Sequence, residues 1–103
     1  MDRTTLSLID QAGTEVGTIF LFSEERGLVL RDFRPGHGFA RYAELFRAHE
    51  QAANDTLLVE IDRLEEAIRL LGFSVARTAE PGTRLPITDL QIMAAGISFQ
   101  WAR

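Results

Sequence analysis

Ile97, Phe99 and Trp101 alternate with Ser98, Gln100 and Ala102, the period-two signature of a strand with one apolar face. The same kind of segment recurs near the start of the chain. Leu6 to Ile9 and Val16 to Phe22 read as strands, joined by a turn at Gln11-Ala12-Gly13-Thr14. After a second turn, Ser23 to Gly27, Leu28-Val29-Leu30 opens a third strand toward Phe33. Turns this short join antiparallel neighbours. Ile19-Phe20-Leu21-Phe22 does not alternate, which predicts an interior strand with both faces covered.

The period then changes. Phe39, Tyr42, Phe46, His49 and Ala53 recur at steps of three and four, predicting a helix from about Phe39 to Ala53, with Arg41 and Glu44 able to pair. Asn54-Asp55-Thr56 interrupts the pattern and offers an N-cap. A second helix follows, from about Thr56 to Leu71, with a stripe of Leu57, Ile61, Leu64, Ile68 and Leu71 and an i, i+4 pair in Glu65 and Arg69. Gly72 suits the left-handed position past its end, with Phe73 folding back on Ile68. A strand over Leu57 to Ile61 is the competing reading, because Leu57-Leu58-Val59 is a local apolar run. Three more strands close the pattern: Phe73 to Thr78, Leu85 to Met93 with Leu90 and Ile92 on one face, and the alternating segment at the end. Pro81-Gly82 and Ala94-Ala95-Gly96 are their turns.

The expectation is a single α+β domain over residues 1–103 in the order βββααβββ. A mostly antiparallel sheet carries a two-helix layer on one face. The other face is partly closed by the C-terminal hairpin or by a second copy.

Composition supports a domain that folds without cross-links. Of 103 residues, 46% are hydrophobic and 25% charged, enough apolar content to offset chain ordering. The chain has no cysteine, which excludes a disulfide framework, thiol catalysis and thiolate metal sites. Met1 to Thr5 lacks the basic flank and apolar run of a signal peptide, and runs such as Ile19 to Phe22 are too short to cross a bilayer. These features read as a cytoplasmic protein with no membrane role. A net charge of −4 argues against a nucleic-acid partner, which calls for a basic face. Without lysine, Schiff-base chemistry and a Walker-type phosphate lysine are excluded.

Candidate chemistry concentrates at the junction from Arg31 to Tyr42, where strand gives way to helix. Gly36-His37-Gly38 stands where a dinucleotide-binding loop would, but the sixth position of that motif holds Arg41 where close helix–strand packing needs Gly or Ala. A simpler anion seat needs only free N–H groups and nearby guanidinium groups, and Arg31, Arg34, His37 and Arg41 are its candidate ligands. Against it stands a plain turn whose arginines pair with acids of the chain. His49-Glu50-Gln51-Ala52-Ala53 begins like a zinc-protease helix, yet position 53 lacks the second His. No metal site and no cofactor is implied. His37 is the single candidate for acid–base work, and no serine occupies a Gly-x-Ser-x-Gly turn. The chain therefore reads as a non-enzyme rather than an enzyme.

The aromatic pair Phe99 and Trp101 points elsewhere. A terminal strand is often an edge strand, edges pair with other chains, and aromatic residues concentrate at interfaces. The leading expectation is a non-enzymatic protein-interaction module, forming a homodimer or meeting a protein partner through Phe99 and Trp101. The alternative is a small domain binding phosphate or carboxylate at the 31–41 junction.

Overall fold

A computed structural model of the chain describes residues 3–23, 29–78, 80, 82–94 and 96–101, with side chains for all of these except 3–4, 21–23 and 29–31. The elements are β1 (Arg3–Ile9), β2 (Glu15–Ser23), β3 (Val29–Pro35), a single 3-10 turn (His37–Phe39), α1 (Ala43–Asn54), α2 (Leu58–Leu70), β4 (Ser74–Arg77), β5 (Leu85–Met93) and β6 (Gly96–Trp101). The strands form one sheet in the order β3-β2-β1-β4-β5-β6, and every pairing is antiparallel. The chain is thus an α+β domain in the predicted order βββααβββ.

Register decides which residues enter the core. Leu6 pairs with Ile19, Ile19 with Phe33, and Leu8 with Val75. Residues paired across antiparallel strands share a face, so these form apolar rows on one side of the sheet. Leu90 and Ile92 of β5 and Ile97 and Phe99 of β6 join them, and Phe46 of α1 and Ile68 of α2 press onto the same cluster. The sheet curls around this cluster until its edges, β3 and β6, lie beside each other. The curl brings the edges together without a ladder between them among the described residues.

The opposite face is polar. Thr5, Ser7 and Thr18 are half-buried on it, and Asp32 and Arg34 are exposed. Phe20 is half-buried there, with the Arg34 guanidinium 5.5 Å from its ring centroid. The C-terminal hairpin does not fold over this face, as one expectation had it. It extends the sheet instead, because the curl already encloses the apolar side. The side chains of Leu21 and Phe22, the rest of the non-alternating run, lie outside the described residues.

The helices start and stop differently from the sequence reading. Thr56 takes a positive φ of 55° and its N–H bonds to the Ala53 carbonyl, while the Leu57 N–H bonds to that of Ala52. Thr56 therefore ends α1. The cap of α2 is Leu57, which makes no side-chain cap bond, and Asp55 accepts a hydrogen bond from Gln51 at 2.8 Å. At the far end Gly72, at φ 66°, donates to the Arg69 carbonyl at 3.2 Å, and Phe73 joins the core beside Ile68 as predicted.

Two polar bonds tie α1 to hairpin turns far away in sequence. Just before the helix, the Tyr42 hydroxyl donates to Asp10 Oδ2 at 2.8 Å, beside the β1–β2 turn. In its middle, the Glu50 carboxylate accepts the Ala94 N–H of the β5–β6 turn at 3.1 and 3.3 Å. A charged acceptor on an exposed amide contributes modestly, so Glu50→Ala is expected to cost about 1 kcal/mol in a urea titration. It should also speed amide exchange at Ala94. Unchanged exchange there would show that the clamp does not operate in solution.

Candidate interaction surface

The glycines of the 31–41 junction serve the backbone. The Gly36 N–H donates to the Val16 carbonyl at 2.8 Å. A Cβ on Gly38 would lie 2.7 Å from the Glu15 carbonyl oxygen, and one on Gly17 would strike the Phe33 ring and lie 2.7 Å from the Arg34 carbonyl oxygen. Here the chain hugs β2 so closely that side chains do not fit. The Phe39 and Tyr42 N–H groups are occupied by the Gly36 and Phe39 carbonyls.

The candidate anion ligands are spread along this turn. The side chain of Arg31 lies outside the described residues. Arg34 sits over Phe20 on the polar face of the sheet. His37 is exposed in the 3-10 turn. Arg41 lies 5.5 Å from the Tyr42 ring centroid. Among the described residues Arg34 and Arg41 sit over different rings, no bond joins either of them to His37, and none of the three lines either of the clefts described below. Arg41 does not pair with Glu44, which bonds Arg47 instead.

A buried polar node stands beside this turn, and sequence reasoning missed it. Asp10 is 1% exposed. Its Oδ1 accepts the Thr14 N–H at 2.9 Å, and its Oδ2 accepts the Tyr42 hydroxyl at 2.8 Å. The signal was present: an Asp opening a Gly-containing turn can accept a downstream N–H. Burial alone would raise the Asp10 carboxyl, but the Thr14 N–H, the Tyr42 hydroxyl, the Ala12 N–H and the Arg41 charge together hold it below its ordinary value. Burial, with Asp10 as acceptor, pushes Tyr42 above the usual tyrosine range. The node closes the hairpin and seats α1.

His49 is the other buried polar residue among those described. Its Nε2 lies 3.4 Å from Glu65 Oε2, and its Nδ1 has no hydrogen-bond partner among the described residues. Glu50, its neighbour in the segment that begins like a zinc-protease helix, is engaged at Ala94, so the two do not face a common centre. Among the described residues no group of three or more His, Asp or Glu is placed to hold a metal ion.

Clefts open at two places among the described residues. One, of about 310 Å³, lies between α2 and β5, floored by Ile68, Phe73 and Leu90 and rimmed by Asp62, Glu65 and Asp89. Asp89 takes φ 55° where the β5–β6 register slips. The other, of about 530 Å³, lies among β3, α1 and the β5–β6 turn over Phe33, Phe39 and Phe46.

Among the described residues the most exposed large apolar side chains, Leu58, Val59 and Leu70, lie on α2. Leu57 is 49% exposed, Leu58 68%, Val59 83% and Leu70 65%. Leu64 and Ile68 of the predicted stripe are buried, and Ile61 and Leu71 half-buried. Leu57 is thus less enclosed than its place in the stripe implied, because it caps α2 from the loop and is not part of the helix. Leu58, Val59 and Leu70 fall off the stripe, a signal legible in the spacing alone. Between them run two i, i+3 ion pairs, Arg63 on Glu60 at 2.6 and 3.0 Å and Arg69 on Glu66 at 2.5 and 2.8 Å. The predicted Glu65–Arg69 pair is absent; Arg69 takes Glu66, and Glu65 turns to His49.

No known protein family, curated protein or solved structure matches the chain.

Phe99 and Trp101 do share a face, 5.4 Å apart and edge-to-face. Phe99 is 3% exposed and belongs to the core; Trp101, at the end of edge strand β6, is 50% exposed. Of the two, only Trp101 offers surface to another molecule. No helix among the described residues is long and apolar enough to cross a membrane.

Proposed function

We propose that the chain is a non-enzymatic protein-interaction module that self-associates. The observation that carries this reading is the aliphatic surface of α2. Leu58, Val59 and Leu70 stand in water on the outward side of a helix whose inward side is well packed. Each such side chain gains about 1.5–3 kcal/mol when fully covered, and aliphatic side chains at both ends of one helix face offer a partner two apolar anchors with charged residues between them. Half-exposed Trp101 adds a second apolar point on the sheet edge.

A helix of this length is about 20 Å long, so contact through α2 falls at the small end of specific interfaces. The expected affinity is correspondingly weak. Sedimentation equilibrium from about 10 µM to about 1 mM should show the mass rise from 11.5 kDa toward twice that value. A mass that stays at 11.5 kDa throughout would overturn self-association.

A further inference from the structure

The outward face of α2 has a pattern that matches itself in reverse. At 100° per residue, Val59, Arg63, Glu66 and Leu70 fall in one stripe along the helix. Val59 lies as far before the midpoint of positions 64 and 65 as Leu70 lies after it. Arg63 and Glu66 are likewise equidistant from that midpoint. Read in either direction the stripe runs aliphatic, charged, charged, aliphatic, with the two charges of opposite sign.

We infer that α2 packs against α2 of a second copy, antiparallel, about a two-fold axis passing between positions 64 and 65. This assignment rests on the self-association proposed above and names its surface and register. The axis brings Val59 over Leu70 of the second copy, and Arg63 opposite Glu66, each contact occurring twice, as an isologous interface requires. In an antiparallel pair the same flank of each helix meets, which sets Asp62 near Arg69 across the contact. A parallel pairing would instead oppose Arg63 to Arg63 and Glu66 to Glu66, and like charges in contact oppose association. The stripe is free to make this contact. The side chains of Arg63 and Glu66 are 63% and 55% exposed, and among the described residues each pairs with an i, i+3 partner on its own helix.

Charge reversal tests the register. R63E and E66R should each weaken self-association about tenfold or more, because each places two like-charge contacts across the axis. An equimolar mixture of the two variants should associate about as tightly as the wild type, since every substituted side chain then faces an opposite charge. The double variant R63E/E66R should also recover. Recovery in the mixture excludes misfolding as the cause of the single losses. Because the chain has no cysteine, E66C supplies one thiol beside the axis. It should form a disulfide-linked dimer under mild oxidation, whereas Q51C on the exposed side of α1 should not. If the wild type associates but the single variants match it, or the mixture stays as weak as either alone, the two-fold assignment fails and the module reading stands. If the wild type remains monomeric, both fail.

Discussion

Phe46→Ala is expected to lower the unfolding free energy by about 4 kcal/mol, the cost of removing a fully buried ring and leaving a cavity. The side chain is 1% exposed. Its ring stacks on Phe39 at 6.1 Å and meets Phe73 at 5.8 Å, and Phe73 in turn meets Tyr42 edge-to-face at 5.0 Å. Phe39 continues the chain of rings to Phe33 on β3, 5.5 Å away. Phe46 therefore joins Phe39 of the strand-to-helix junction to Phe73 at the entry to β4, a connection that Tyr42 makes a second time. Domains of this size are stable by only about 5–15 kcal/mol, so the loss removes a large share of the total. Urea titration measures it directly. A loss below about 1 kcal/mol would mean that α1 does not pack on the sheet as described.

Asp10→Ala is the second large effect, about 3 kcal/mol near neutral pH. It removes two hydrogen bonds to a carboxylate and strands the Thr14 N–H and the Tyr42 hydroxyl. The pH dependence carries a signature. The folded state holds the Asp10 carboxyl below its ordinary value of 3.8, so the folded state resists its protonation. The stabilisation is fully present above that value and is lost as pH falls through the lowered folded one. For Tyr42 the sign is reversed. The folded state raises its hydroxyl above 10.0, so its contribution is present below that value and lost as pH rises past the raised one. The difference in stability between wild type and Asp10→Ala should therefore be a plateau that shrinks at both acid and alkaline ends. Asp10→Asn retains an acceptor and should lose less, and its own stability should lack the acid loss that Asp10 gives the wild type. A difference independent of pH would show that the node is not ionised in the folded protein.

Much of the fold was legible in the sequence. The strands and both helices appear in the predicted order, since periods of two and 3.6 are written locally in residues such as Ile97, Phe99 and Trp101 or Leu64 and Ile68. Gly72 was legible for the same reason, as a single residue whose backbone conformation its own chemistry favours. Thr56 was not. It reads as a helix start by composition, and ends the preceding helix because α1 and α2 meet in a three-residue loop that forces one positive φ.

The candidate site was less legible. Side-chain type drew attention to Arg34, His37 and Arg41, yet their positions depend on where Phe20, Tyr42 and β2 lie. The non-alternating run Ile19-Phe20-Leu21-Phe22 drew attention to the strands, whereas among the described residues the most exposed large aliphatic side chains, Leu58, Val59 and Leu70, stand on α2. The curl of the sheet accounts for the difference, because it encloses the strand face that a flat sheet would leave open.

By itself the sequence determined which segments are strand or helix, their order, and which side of each is apolar, because these follow from the spacing of neighbours along the chain. Only the tertiary structure decided that Phe99 is enclosed while Trp101 is half in water, that Asp10 meets Tyr42 and Glu50 meets Ala94, and that Val59 and Leu70 remain uncovered. Those outcomes depend on surfaces brought together from distant positions, and burial is a property of the surface that arrives, not of the residue that waits for it.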